Sequence, residues 1–145
     1  MKKALFLDRD GVLNRERGDY TYSIEDFQVL SDVSEALILA KAKGFMLIVI
    51  SNQGGIAKGI FTEERVETLH QMLVDKLAAN GVEFDEIYYC QHHDEIGKCI
   101  CRKPNSLMLE KAMARFTISA QNSVMIGDSQ RDVDAADKAG VKGYL

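Results

Sequence analysis

Basic charge is what this chain most lacks. Its 145 residues carry 18 Lys and Arg against 22 Asp and Glu, for a net charge of −4 at pH 7. Proteins that grip a nucleic-acid backbone usually show a basic stripe, so that partner class is disfavoured. Long apolar runs are absent too, since none approaches the roughly 18–20 residues that span a bilayer. The opening MKKALFLDRDG meets charges within a few residues, so no secretory leader is expected. These absences imply a cytoplasmic protein with no membrane partner. Proline is nearly missing, with Pro104 standing alone, and no linker, repeat or low-complexity tract divides the chain. One domain over residues 1–145 is the expectation. Cysteine is scarce and odd in number, and all three lie between positions 90 and 101. A disulfide framework spreads its cysteines, whereas a tight cluster in a reducing compartment points to metal.

What is present alternates between strand-like and helix-like segments. ALFLD (4–8) and FMLIVIS (45–51) are continuous apolar runs, as buried parallel strands tend to be. FDEIYYC (84–90) and SVMIG (123–127) read as further strands, and KGYL as the start of a fifth. Between them lie helix patterns. One is 32–44, with Asp32 placed to cap it and Gly44 to end it. A longer one follows Thr62, with Val66, Leu69, Leu73 and Leu77 on one face and Asn80-Gly81 as its stop. Residues 106–116 and 131–140 complete the set. Strands alternating with helices predict an α/β, three-layer, Rossmann-like parallel sheet with helices on both faces. In such sheets ligands bind beyond the carboxyl ends of the strands. Those ends here carry Asp8 and Asp10, Ser51-Asn52-Gln53, Cys90 and Gly127-Asp128.

Asp8 and Asp10 are two apart, so in extended chain both face one site while Arg9 points elsewhere. Two close carboxylates repel unless a cation sits with them. A third acid, Asp128, ends another strand. Three carboxylate or carbonyl oxygens plus waters suit octahedral Mg²⁺. A solvated strand end with a glycine turn at Gly11 is the plain alternative for the pair alone.

The stretch CQHHDEIGKCICRKP pairs Cys90-x-His92 with Cys99-x-Cys101. Three thiolates and an imidazole close a tetrahedral Zn²⁺ shell with no open position, which makes a structural site. Buried free cysteines are the alternative, although such residues usually sit in a core rather than a polar loop. His93 and His70 read as non-ligands. Arg102 and Lys103 follow the last ligand directly, so fixing this loop would fix them.

Four motifs occur in order: DRDG, VISN, RKP and GDSQRD. Together they resemble the haloacid dehalogenase superfamily of phosphatases. The resemblance spans nearly the whole chain and implies roles residue by residue. Asp8 would be the nucleophile and Asp10 the acid and base. Ser51 and Lys103 would hold the phosphoryl oxygens. Asp8, Asp10 through its carbonyl, and Asp128 would bind Mg²⁺, with Asp132 in support behind them.

Within that superfamily the C-x-H…C-x-C-R-K-P loop resembles two branches that lack a large cap domain, the heptose 1,7-bisphosphate phosphatases and the histidinol-phosphate phosphatases. SNQGGIAKGIFTEE and YYCQHH look like the heptose branch, whereas the short metal loop is nearer the other in length. The first branch implies removal of a C7 phosphate from a small phosphorylated sugar by a monomer. Its substrate positions map onto Glu16, Arg17, Gly18 and Asp19, and onto Asn52, Gln53, Gly54 and Arg102. Lys58 is either a reach to a distal phosphate or a solvated loop lysine. Tyr20 and Tyr22 keep an imidazole substrate open. Three other readings stand further off. A receiver-type phosphoacceptor ends a middle strand, not the first, with its aspartate. A non-catalytic zinc module leaves the acidic rim unexplained. A DNA-end phosphatase sits badly with the acidic charge.

Overall fold

Five short segments pair in parallel, and their order puts the first strand in the middle. The computed structural model describes residues 1–145. The strands are β1 (Lys3–Leu7), β2 (Phe45–Asn52), β3 (Glu86–Cys90), β4 (Val124–Ile126) and β5 (Lys142–Tyr144). They lie in the order β3-β2-β1-β4-β5, and every pairing is parallel. Leu5 sits between Leu47 of β2 and Val124 of β4.

Alternation along the strands divides the core in two. Ala4, Phe6, Ile48 and Ile50 face one side, where α3 (Leu107–Phe116) and α4 (Gln130–Lys138) bring Met108, Leu109, Ala112, Ala135 and Ala136. Leu7, Leu47 and Val49 face the other. There α1 (Val33–Ala42) and α2 (Glu63–Ala78) bring Val33, Leu37, Leu69, Leu73 and Leu77. The expected layering of helix, sheet and helix is therefore the one observed, and no cap domain is inserted between the elements.

Local chemistry explains where the elements start. The Thr62 hydroxyl accepts from Arg65 N at 3.1 Å and opens α2 as expected. Asp32 precedes α1 but makes no capping bond with its side chain, against expectation. The helix instead begins from a turn in which Val33 N donates to Leu30 O at 3.3 Å. The third strand starts at Glu86, two residues later than its apolar pattern suggests. Asp85 uses both its backbone N–H and its carboxylate on Leu47, which fixes the entry to the strand. A reciprocal capping box between Ser129 and Asp132 opens α4.

Candidate active site

The carboxyl ends of β1, β2 and β4 meet at one cavity of about 390 Å³. Asp8 follows β1 directly, and its N–H donates to Ile126 O of β4 at 3.0 Å. That bond fixes the backbone at the seam between two strands. The Asp8 Oδ1 accepts from Arg9 N and from Lys103 Nζ, each at 2.9 Å. Lys103 lies 95 residues away in sequence and is 2% exposed. Its Nζ also donates to Ile50 O at 2.8 Å and lies 2.6 Å from Asp132 Oδ1. Its backbone is held as well. Asn52 Oδ1 accepts from Lys103 N at 2.9 Å, and Asn52 Nδ2 donates to Lys103 O at 3.1 Å.

Asp132 is fully buried. Its Oδ2 accepts from Asp128 N, Ser129 N and Ser129 Oγ, each at 3.2 Å. Its Oδ1 has the Lys103 ion-pair contact but no well-directed hydrogen bond. Two glycines make this crowding possible. A Cβ on Gly11, where φ is +87°, would sit 2.2 Å from Asp128 Oδ2. A Cβ on Gly127 would sit 2.2 Å from that of Asp132.

Asp8, Asp128 and Asp132 each bring an oxygen within 4.8 Å of the others. Burial pushes the Asp8 carboxyl up to about 7; Lys103 opposes this, and Asp132 and Asp128 add to it. One ammonium does not balance three carboxylates. The surplus negative charge and the hard oxygen donors fit a divalent cation of the Mg²⁺ kind.

Asp10 lies beside Asp8 at the same cavity. Its Oδ1 accepts from Arg9 and Asn14, and Gln53 Nε2 lies 3.4 Å from its Oδ2. Gln53 also donates to Ser51 Oγ at 2.8 Å. Ser51 is 1% exposed and sits beneath the cavity rather than on its wall.

The expected substrate positions separate. Glu16, Gly18, Asp19, Asn52, Gln53, Gly54 and Arg102 all line the cavity. Arg17 does not. It turns away to donate to Tyr20 O at 3.0 Å and pairs with Asp26 at 3.3 Å, which braces the loop from outside. Lys58 is also off the wall, paired with Glu95 at 3.0 Å. Arg102 Nη1 donates to His92 O at 3.1 Å and packs over Gly54, leaving no room there for a Cβ. His93 and Arg131 line the cavity although the motifs did not single them out. His93 is brought in by the loop after β3, and Arg131, which stands inside the GDSQRD stretch, by the first turn of α4.

Beyond β3, Cys90, His92, Cys99 and Cys101 converge, with donor atoms within 4.8 Å of one another. Cys90 Sγ lies 2.8 Å from Cys101 Sγ and 3.7 Å from Cys99 Sγ. His92 Nδ1 lies 3.5 Å from Cys90 Sγ and 3.3 Å from Cys101 Sγ. Bonds of about 2.3 Å in a tetrahedron place their corners roughly 3.7 Å apart; the quoted contacts come near that spacing except Cys90–Cys101, which would have to spread to admit a metal. His93 Nδ1 accepts from Glu95 N at 3.1 Å, and His70 is buried beside Arg9, so neither joins the cluster.

Comparison with known proteins draws these features together. Residues 100–145 match the HAD-hydrolase-like family model. A D-glycero-β-D-manno-heptose-1,7-bisphosphate 7-phosphatase of Vibrio cholerae is 46% identical over 97% of this chain and 78% of its own length. The chain belongs to this phosphatase family. The Pasteurella multocida enzyme of the same name is 43% identical, over 100% of this chain and 81% of its own. Among solved structures, the D,D-heptose 1,7-bisphosphate phosphatase of B. bronchiseptica, complexed with magnesium and phosphate, superposes with a TM-score of 0.92. It is 30% identical, over 99% of this chain and 79% of that one. The family is one of phosphatases within the HAD superfamily, so the acidic rim belongs to an enzyme.

Proposed function

We propose that this enzyme removes the C7 phosphate of D-glycero-β-D-manno-heptose 1,7-bisphosphate through an aspartyl-phosphate on Asp8. The observation that carries the reading is the meeting of Asp8, Asp10 and Lys103 at one cavity, with Lys103 Nζ 2.9 Å from Asp8 Oδ1. The β anomer follows the names of the two curated relatives above.

Asp8 attacks phosphorus, and Asp10 delivers a proton to the departing sugar oxygen. In the second half Asp10 takes a proton from water as that water attacks phosphorus and frees Asp8. Splitting one displacement into two in this way is covalent catalysis. Ser51 and Lys103 hold the phosphoryl oxygens. Asn52, Gln53, Gly54 and Arg102 face the sugar, as do Glu16, Gly18 and Asp19 from the loop after β1. Arg102 offers a forked contact to substrate oxygens. Asp8, the Asp10 carbonyl and Asp128 would hold Mg²⁺, which neutralises phosphoryl charge when bound. Asp132 has its oxygens committed to Lys103 and to the start of α4, which suits a supporting role. Cys90, His92, Cys99 and Cys101 would hold a structural Zn²⁺.

The cysteines are free, which suits the reducing cytoplasm. An imidazole substrate loses part of its support. Tyr22 is off the cavity wall, stacked on Phe61 with centroids 5.5 Å apart, while Tyr20, edge-on to the same ring at 5.8 Å, still lines the cavity. The test is phosphate release in Mg²⁺ from both heptose anomers and from histidinol phosphate. The β-bisphosphate is expected to give the highest kcat/KM. A preference for histidinol phosphate would overturn the substrate, and retained turnover in Asp8→Asn would overturn the nucleophile.

A further inference from the structure

Arg9 is the one charged residue of the first motif to which no task has been given. It has no exposed surface, and a buried guanidinium is costly unless its N–H groups are used. Here they are used mainly on one oxygen. Arg9 Nη2 lies 2.8 Å from Asp10 Oδ1 and Nε lies 3.1 Å from the same atom. Asn14 Nδ2 adds a third donor to that oxygen at 2.9 Å. Asp10 Oδ2 has a single, longer contact, the 3.4 Å approach of Gln53 Nε2. The remaining Arg9 contacts reach outward. Nη2 donates to Thr21 O at 3.1 Å, Nη1 lies 3.4 Å from His70 Nε2, and the guanidinium lies over the Phe27 ring at 5.3 Å.

We infer that Arg9 is a positioning residue: it clamps Oδ1 of Asp10 so that the transferred proton rides on Oδ2. Through Thr21 it also ties that carboxyl to the loop whose residues Glu16, Gly18, Asp19 and Tyr20 line the cavity. The inference rests on the proposed role of Asp10 as acid and base. As the bond from phosphorus to the sugar oxygen breaks, its electron pair stays on that oxygen. The proton on Oδ2 passes to it, and the Asp10 carboxylate left behind remains paired with Arg9. When water attacks, its proton returns to Oδ2, its oxygen bonds to phosphorus, and the pair of the P–O bond returns to Asp8. Two N–H groups of one rigid guanidinium converge on Asp10 Oδ1 and fix it from two directions, which the lone ammonium of a lysine cannot do.

The test compares an alkyl ester, the heptose bisphosphate, with p-nitrophenyl phosphate, whose phenolate leaves without a proton. Arg9→Gln is expected to lower kcat/KM, which reports the first transfer and not the hydrolysis common to both esters, at least about tenfold more on the sugar ester than on the aryl ester, since general acid catalysis is worth 10²–10⁴. A double-mutant cycle with Asp10→Asn needs the sugar ester alone. In that background Arg9→Gln should change the rate by no more than about threefold, because the group it positions is gone. Arg9→Lys and Asn14→Ala each spare part of the clamp, and should show the same leaving-group bias at smaller size. They stand in if Arg9→Gln does not fold. Equal losses of kcat/KM on both esters, or an undiminished loss in the Asp10→Asn background, would overturn the inference and leave the parent reading intact. Wild-type protein inert on both esters would bring down the parent reading and this one together.

Discussion

Gly11 and Gly81 hold the same left-handed backbone, at φ values of +87° and +82°, but only Gly11 faces a side chain. Alanine at Gly81 meets open space, so its cost is backbone strain alone, about 1 kcal/mol, read as a small fall in melting temperature. Alanine at Gly11 drives into Asp128 Oδ2. It should weaken Mg²⁺ by about 10–100-fold, measured by Mg²⁺ titration of phosphate release. His70 gives a prediction of another kind. Burial, helped by Arg9 and opposed by Asp10, lowers its pKa to about 3, and the Tyr89 ring packs edge-on against it. The folded protein keeps His70 neutral down to that pH, whereas the unfolded chain takes a proton near pH 6.5. Its contribution to stability is therefore whole above pH 6.5 and is lost as pH falls toward 3. The loss is about 2 kcal/mol at pH 5. Denaturant midpoints of His70→Gln should accordingly fall less steeply with acid than those of the wild type.

At the scale of elements, the metal loop and the Asn52 clamp hold the same stretch of chain. Cys101 precedes Arg102 and Lys103, while Asn52 grips Lys103 through its backbone N–H and carbonyl. With two tethers, chelation or Cys101→Ser should lower both melting temperature and kcat without abolishing turnover. The loss should deepen when Asn52→Ala is added. Elemental analysis would report one zinc lost alongside. The same scale shows what could be read from residues alone. The strands and helices were legible because their apolar periods are long and unbroken, as in FMLIVIS and along α2. The Thr62 cap was legible because its acceptor and donor are neighbours in sequence. Asp32 was not, because a turn from Leu30 does its work. Likewise Asp8, Asp10 and Asp128 were readable as a set at strand ends, with Lys103 reached through its RKP motif. Arg9 was not: period-2 alternation sends its Cβ away from the acids, and only the length of the side chain brings the guanidinium back to Asp10. His93 depends on a loop path that no local spacing encodes, and Arg131 on the direction in which α4 leaves β4.

At the scale of the molecule, the charge carried by the cavity links folding to the ion. Asp8, Asp128 and Asp132 are crowded together only in the folded chain, so a divalent ion that binds there should stabilise it by mass action. The melting temperature should rise with Mg²⁺ concentration in the wild type and hold nearly constant in Asp128→Ala, as followed by calorimetry. The strand order bears on how the enzyme fails. Asp8 hangs from the middle strand, flanked by two paired strands on either side, rather than from an edge that frays. Amide protons of β1 should then exchange with deuterium only when the entire sheet comes apart. Heat inactivation and global melting would share one midpoint, because the segment bearing Asp8 has no separate way to loosen.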